Sequence, residues 1–403
     1  MPHEPNDPPP ASAAVGMKDL ARRLGVSTGT VDRALNDKPG ISPVTRARVL
    51  AAAGTLDYTP NLAARYLRSR KQLRIAVQLP NRVTVFWEAL REGIREAAAP
   101  FAPALHVEFR PWARAGGGEI PLMQRAIADG IDGMIISPGD PVALAPHITE
   151  AARRRIPVVC VVTDVPDSPR LLSVSADACT AGAVAAELLG RCLSGGSQIG
   201  CITGWKTPEH SETLRGVASS LSALRANLAV GPILETPDDE REVYLRTRDM
   251  LRAHPQLRGL YIGTNNSLPA LRAAEQEGRL GGLTVVATDL LPELVDWIRA
   301  GKVVATIDQR PLTQGRIAFQ SLCRFLQNPH RLVSNHRVVP YLVMSSNLDV
   351  VLDGYRAGNT GHAHPPSAQS CRSLGGPPSG GLSPQFTPPG NPELIRQSSS
   401  HGR

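Results

Sequence analysis

Aromatic residues make up only 4% of the 403-residue chain, cysteines number six, and no stretch is long and apolar enough to cross a bilayer. Each shortage excludes something. Spanning a membrane takes roughly 20 consecutive apolar residues, and the first sixteen residues lack a basic segment followed by an apolar one, so neither an anchor nor an export signal is expected. The cysteines stand far apart, at 160, 179, 192, 201, 323 and 371, with no C-x-x-C pair and no histidine cluster at ligand spacing. A disulfide framework and a zinc site are both disfavoured, no metal or cofactor is expected, and a reducing cytoplasm is the simplest compartment.

What is present is apolar mass and uneven charge. At 42% hydrophobic the chain can bury a large core, and its length exceeds what one core usually organises, so two or three globular units are expected. The net charge is +8. Residues 1–72 carry eleven Lys and Arg against six Asp and Glu, while the remaining 331 carry 33 against 30. Basic charge gathered in the first fifth of a chain suits an anionic polymer, although charge alone also fits solubility or a membrane surface.

Composition divides the chain into a Pro-rich leader (1–15), a helical segment (16–60), a short basic linker (61–72), a long region of alternating strand and helix patterns (73–353), and a Gly, Pro and Ser-rich tail (354–403). The leader and tail are too polar to offset their ordering entropy and are expected to be disordered. In the long region the runs IAVQL (75–79), GMIIS (133–137), VVCVV (158–162), IGCIT (199–203), LYIG (260–263) and TVVAT (284–288) are each followed by a helical pattern. Repeated strand-then-helix units predict parallel α/β sheets, and some 270 residues of them predict two lobes with a cleft. Ligands of such sheets bind beyond the carboxyl ends of the strands.

Residues 17–35, MKDLARRLGVSTGTVDRAL, place Met17, Leu20, Ala21 and Leu24 on one helical face and Val31, Ala34 and Leu35 on a second, with Gly25 and Val26 between. Two short amphipathic helices about a glycine-containing turn form a helix-turn-helix. Ser27 is placed to cap the second helix, whose first turn carries Thr28, Gly29 and Thr30, with Arg33 one turn later. A third helix, about 43–56, offers Val44, Val49 and Ala53 as a lid. GVSTG at 25–29 matches the G-x-S-x-G of hydrolases, but a helix precedes Ser27 where that motif needs a strand. The glycines at 195–200 precede a strand, so they form no phosphate loop. An enzyme is not expected.

The stretch from Gly16 to Arg70 resembles the DNA-binding head of LacI/GalR-family repressors. The resemblance implies that Ser27, Thr28, Gly29, Thr30 and Arg33 face the major groove, and that Asn36 and Tyr58 lie beside phosphates. Arg33 then reads sequence, since Gly29 has no side chain, and Asp32 is a carboxylate placed where it would repel phosphate. Residues 61–71 read as a ten-residue hinge helix capped by Asn61, too short and too basic to be stable alone. In the resembled family such a helix packs on its dimer mate against DNA; Ala64, Arg65, Leu67 and Arg68 match, with Leu67 as a minor-groove wedge.

Residues 73–353 resemble the periplasmic sugar-binding-protein fold of the same family, with one lobe near 73–175 and 310–338 and the other near 176–309 and 339–353. The expected fold class is therefore α/β, a two-lobed periplasmic-binding-protein-like (type I) domain behind an all-α head. The resemblance implies a ligand cleft with Phe86 and Trp87, after the first strand, as sugar-stacking aromatics, and with Asn265, Asp289 and Gln309 bonding hydroxyls. Asp140 and Asp164 also follow strands and either reach the cleft or cap helices. Thr213 stands where the family carries Arg, with His210 and Glu212 nearby as substitutes. Together these predict a repressor that binds double-stranded operator DNA as a homodimer or tetramer and answers to a sugar or polyol. A periplasmic-type solute-binding protein and a sugar-acting enzyme are the rival readings.

Overall fold

A computed structural model describes residues 16–35, 38–55, 72–81, 84–113, 118–204, 208–224, 228–236, 239–264, 266–329 and 332–359. Among the described residues the head forms three helices, α1 (Met17–Leu24), α2 (Thr28–Leu35) and α3 (Pro43–Thr55). α1 ends on Gly25, whose φ of 63° lets its N–H return to the Ala21 and Arg22 carbonyls and reverses the chain within two residues. Leu20, Ala21, Val31, Ala34, Val49 and Ala53 are buried together. Val44 is not among them: it lies in the first turn of α3 and is 77% exposed, so of the three expected lid residues Val49 and Ala53 serve.

The rest is two parallel sheets. The first contains β1 (Leu73–Gln78), β2 (Leu105–Phe109), β3 (Gly133–Ile136), β4 (Val158–Val161), β5 (Leu172–Ala176) and β11 (His336–Val338), in the order β11-β5-β4-β3-β1-β2. Its helices include α4 (Val85–Ala98), α5 (Glu119–Ala128) and α6 (Pro141–Arg153). The second sheet holds β6 (Gln198–Thr203), β7 (Ala229–Glu235), β8 (Leu257–Gly263), β9 (Thr284–Thr288), β10 (Ala305–Asp308) and β12 (Tyr341–Val343), in the order β12-β10-β9-β8-β6-β7. Among the described strands, only β12 runs antiparallel to its neighbour. The helices of this lobe include α7 (Ala178–Cys192), α8 (Pro208–Ala223), α9 (Glu240–Ala253), α10 (Ser267–Gln276) and α11 (Pro292–Arg299); α12 (Pro311–Gln327) returns to the first sheet.

Helices cover both faces of each sheet, so successive strand residues are buried on opposite sides and the strands read as continuous apolar runs. Ile75, Val77 and Leu79 join one first-lobe core, and Ala76 joins the other. Strand order reverses around β1 and β3 in one sheet and around β6 and β8 in the other, which puts a topological switch point at the carboxyl edge of each lobe. The chain passes between the lobes after β5, β10 and β11.

Two helix pairs pack unusually closely, α4 with α12 in the first lobe and α7 with α8 in the second. A Cβ added at Gly93 would lie 2.0 Å from the Leu312 carbonyl oxygen, and one at Gly182 would lie 2.0 Å from that of Thr213. The last helix, α13 (Leu348–Asn359), extends into the stretch read from composition as tail. Leu348, Val351, Leu352 and Tyr355 recur at helical spacing and pack on the second-lobe core, and this apolar stripe outweighs the surrounding polar composition.

Candidate functional site

On the head, Ser27 caps α2: its Oγ accepts the Thr30 N–H at 3.1 Å and lies 2.9 Å from the Thr30 hydroxyl. The cap starts a helix whose first turn leaves Thr28 and Gly29 exposed, with Thr30 half-buried and Arg33 exposed one turn on. Asp32 is bridged by Lys38 at 2.8 Å. That ion pair offsets the repulsion expected between Asp32 and phosphate. Of the other expected DNA contacts, Asn36, Tyr58, Asn61, Ala64, Arg65, Leu67 and Arg68 lie outside the described residues.

Between the lobes lies a cavity of about 730 Å³, within the size range of small-molecule sites. Its first-lobe wall is the start of α4, where the Thr84 hydroxyl accepts the Trp87 N–H and so fixes the helix entry. The second-lobe wall includes Asp289 and Asp308 at the ends of β9 and β10, the first turns of α11, and Tyr355 of α13. Phe86 lines the cavity. Trp87 does not, and neither residue is in a loop: both occupy the first turn of α4, with ring centroids 5.0 Å apart and nearly perpendicular, inside the first-lobe core.

Asp289 is almost wholly buried at a φ of 65°. Aspartate tolerates this left-handed backbone better than most residues. Gln309 donates its amide to both carboxylate oxygens at 3.0 and 3.2 Å. Gln314 in turn donates to the Gln309 carbonyl at 2.8 Å, and Tyr355 donates to Asp308 at 2.8 Å. Burial raises the Asp289 pKa to about 7; the nearby Asp308 charge adds to the rise, and the Gln309 side-chain and backbone N–H groups oppose it. Burial raises Asp308 too, against the Arg310 N–H and the Tyr355 hydroxyl.

Folded Asp289 therefore keeps its proton to about pH 7, whereas the unfolded chain releases it near pH 3.9. Its contribution to stability is complete below the lower value, falls as pH rises between the two, and is level above the upper one. Asp289→Asn should accordingly gain on the wild type between about pH 5 and about pH 7, by at most about 1.4 kcal/mol per pH unit. Urea midpoints at the two pH values measure this, and a constant difference would refute the buried proton.

The remaining sequence-predicted residues are more committed. Asp140 caps α6 by accepting the Ala143 N–H at 3.0 Å. Its loop is held from beneath by Glu119, which accepts the Gly139 and Asp140 N–H groups at 3.0 and 2.8 Å. Asp164 is gripped by two nitrogens of Arg170. Burial works against its charge, but the Arg170 hydrogen bonds and charge prevail and hold the Asp164 pKa below the usual carboxylate range. His210 lies against Gly204 at the end of β6. Thr213 is buried in the α7–α8 crossing, its hydroxyl turned back to the Glu209 carbonyl at 3.0 Å. Asn265 lies outside the described residues.

Sequence reasoning passed over Glu119, Arg170, Asp308, Tyr355 and Glu209. Only Glu209 carried a signal, as the neighbour of His210 at a helix start. Its Oε1 accepts the Asp164 N–H at 3.4 Å, a contact from the second lobe to the first.

Comparison with known proteins agrees with this architecture. Residues 16–61 match the model of bacterial regulatory proteins of the lacI family, and residues 75–329 match that of the periplasmic binding protein domain. Catabolite control protein A of Priestia megaterium is 23% identical, over 79% of this chain and 97% of that protein. The ribose operon repressor of Bacillus subtilis is 40% identical over 80 residues, 20% of this chain and 24% of that protein. A solute binding protein of an ABC transporter from Burkholderia graminis, solved with D-arabinose, superimposes with a TM-score of 0.64 at 23% identity, covering 69% of this chain and 97% of that one. The chain belongs to the lacI family of bacterial regulatory proteins: a helix-turn-helix head joined to a two-lobed periplasmic-binding-protein domain, the build of a DNA-binding regulator of transcription.

Proposed function

We propose that this regulator represses transcription in the cytoplasm as a homodimer on a roughly palindromic operator, and that a small polyhydroxylated effector in the interlobe cleft sets its operator affinity. The observation that carries the effector class is the pair formed by Asp289 and Gln309 at the ends of adjacent strands. Asp289 lines the cavity, and its carboxyl group with the Gln309 amide bonded to it gives vicinal hydroxyls both an acceptor and a donor, while Phe86 on the opposite wall offers a ring to a sugar's C–H face. The D-arabinose bound by the Burkholderia graminis protein and the ribose operon named for the Bacillus subtilis repressor are consistent with that class.

Ligand acts on DNA binding only through a difference in affinity between two states. Closure of the lobes moves their head-proximal edges, and two hinge segments that meet in one state and part in the other convert closure into operator affinity. The test is a thermal-shift screen of sugars, polyols and sugar acids, followed by operator binding with and without each hit. A ligand at 100 times its Kd should add about 2.7 kcal/mol to stability and change operator affinity. If none stabilises the protein, the cleft is not a carbohydrate site.

A further inference from the structure

One wall of the interlobe cavity is supplied by neither sheet. α13 packs on the second-lobe core through Leu348, Val351 and Leu352, and it also lies against α4 of the first lobe. It stands beyond residue 329, where the match to the periplasmic binding protein domain ends. Asp349 in its first turn is paired with Arg299 at the end of α11 at 2.7 Å, and Leu352 and Tyr355 line the cavity. From the strand ends that carry Asp289 and Asp308 the cavity continues along α4 from Val85 to Arg95 and along α11 from Pro292 to Arg299. At 1.5 Å per residue these are about 15 Å and about 10 Å of helix, longer than one sugar ring.

The charged and polar groups on this stretch are already spent. Glu88 is paired with Arg91 at 2.7 Å and Glu92 with Arg95 at 3.1 Å, and the Tyr355 hydroxyl goes to Asp308. What remains open to the cavity is apolar: Val85 is 40% exposed, and Ala89, Leu291, Leu312 and Leu352 are half-buried. Hydroxyls pressed on such a wall lose water and gain no partner, whereas an apolar group gains in proportion to the area it covers. We infer that the effector is a glycoside with an apolar aglycone, aryl or branched alkyl, its sugar on Asp289 and Gln309 and its aglycone on the α4 and α13 wall where Val85 and Leu352 lie. The inference rests on the reading of the cleft as a carbohydrate site and deepens it. The cavity's 730 Å³ falls in the upper part of the range of sites for drug-sized ligands, roughly 300–1,000 Å³. Val85 belongs to the first lobe and Leu352 packs on the second, so an aglycone that touches both is best buried when the lobes approach, and it biases closure.

The test uses the full chain in thermal-shift titrations of matched pairs: the methyl and phenyl glycosides of D-glucose, D-galactose, D-xylose and D-arabinose, in both anomeric forms, with phenol alone alongside. At least one phenyl glycoside should show an apparent Kd about tenfold or more below that of its methyl partner, and phenol alone should give no shift. In Val85→Asn and in Leu352→Gln that ratio should fall about fourfold or more, the factor carried by one buried methylene. Val85 is exposed at the first position of its helix, so Val85→Asn keeps the fold, and unchanged urea midpoints verify it for both variants. If methyl glycosides or free sugars bind and phenyl glycosides gain nothing, or if the gain survives either variant, the inference fails and the carbohydrate reading stands. If phenol alone shifts the protein as the phenyl glycosides do, the gain is not tied to the sugar and the inference fails as well. If no sugar or glycoside stabilises the protein, both fail.

Discussion

Gly182→Ala should cost the effector domain about 3 kcal/mol or more, while Gly190→Ala, about two turns along the same helix, should leave it unchanged or slightly more stable. At Gly182 the new methyl would lie 2.0 Å from the Thr213 carbonyl oxygen and 2.9 Å from its carbon. Those atoms belong to the backbone of α8 and cannot rotate away, so the helices must separate along their whole crossing. Gly216 makes the reciprocal approach to the Cys179 carbonyl, also at 2.0 Å, and opening one contact opens the other. Overpacking in a core typically costs about 1–3 kcal/mol, and displacing two helices belongs at or above the top of that range. At Gly190 the nearest atoms are the methyl ends of Leu224 and Leu221, at 3.0 and 3.5 Å. Those can shift, and alanine gains roughly 1 kcal/mol over glycine within a helix. Urea unfolding of the three proteins decides it. Equal effects at the two positions would show that the α7–α8 crossing is not as close as described.

Arg33→Ala should abolish most of the head's sequence preference while sparing its general affinity for DNA. Arg33 is exposed one turn beyond the exposed Gly29, on the same face of α2, where a guanidinium can reach a base edge. A bidentate pair to guanine discriminates by about 1–3 kcal/mol, so the selected sequence should lose roughly 5- to 150-fold in affinity. Non-specific binding, carried by phosphate contacts elsewhere, should change little, and the slope of log K against log salt should shift by no more than about one contact. Selection from a random duplex pool, run in parallel for the wild type and the variant, supplies the sequences and the comparison. An unchanged consensus would remove Arg33 from the reading surface.

Much of this architecture was legible along the chain. Each expected strand from Ile75 to Thr288 is present within a residue or a few, because strands buried on both faces need consecutive apolar side chains and such runs are conspicuous. The helix-turn-helix was as plain: Gly25 and Ser27 act through bonds only a few residues long, so their roles are written locally. Val44 and Trp87 went the other way. Periodicity identifies an apolar face but not the neighbour that fills it. Val44 has no partner across the head, and Trp87 has a whole core to pack against.

The site divides along the same line. Asp289 and Gln309 were named from the family resemblance together with their places at strand ends, where ligands of such sheets bind. Their mutual hydrogen bonds, the burial that raises the Asp289 pKa to about 7, and the nearness of Asp308 and Tyr355 depend on segments far apart in sequence. Glu209 is the sharpest case. Its place beside His210 marks a helix start but not a carboxylate that meets Asp164 from 45 positions away, with one oxygen lacking a hydrogen-bond partner among the described residues. By itself the sequence determined the strand and helix periods, the caps and the family, all of which follow from interactions over a few residues. Tertiary structure alone decided which polar groups are spent on the fold and which are left for a ligand, because hydrogen-bond partners and burial are set by where distant elements meet.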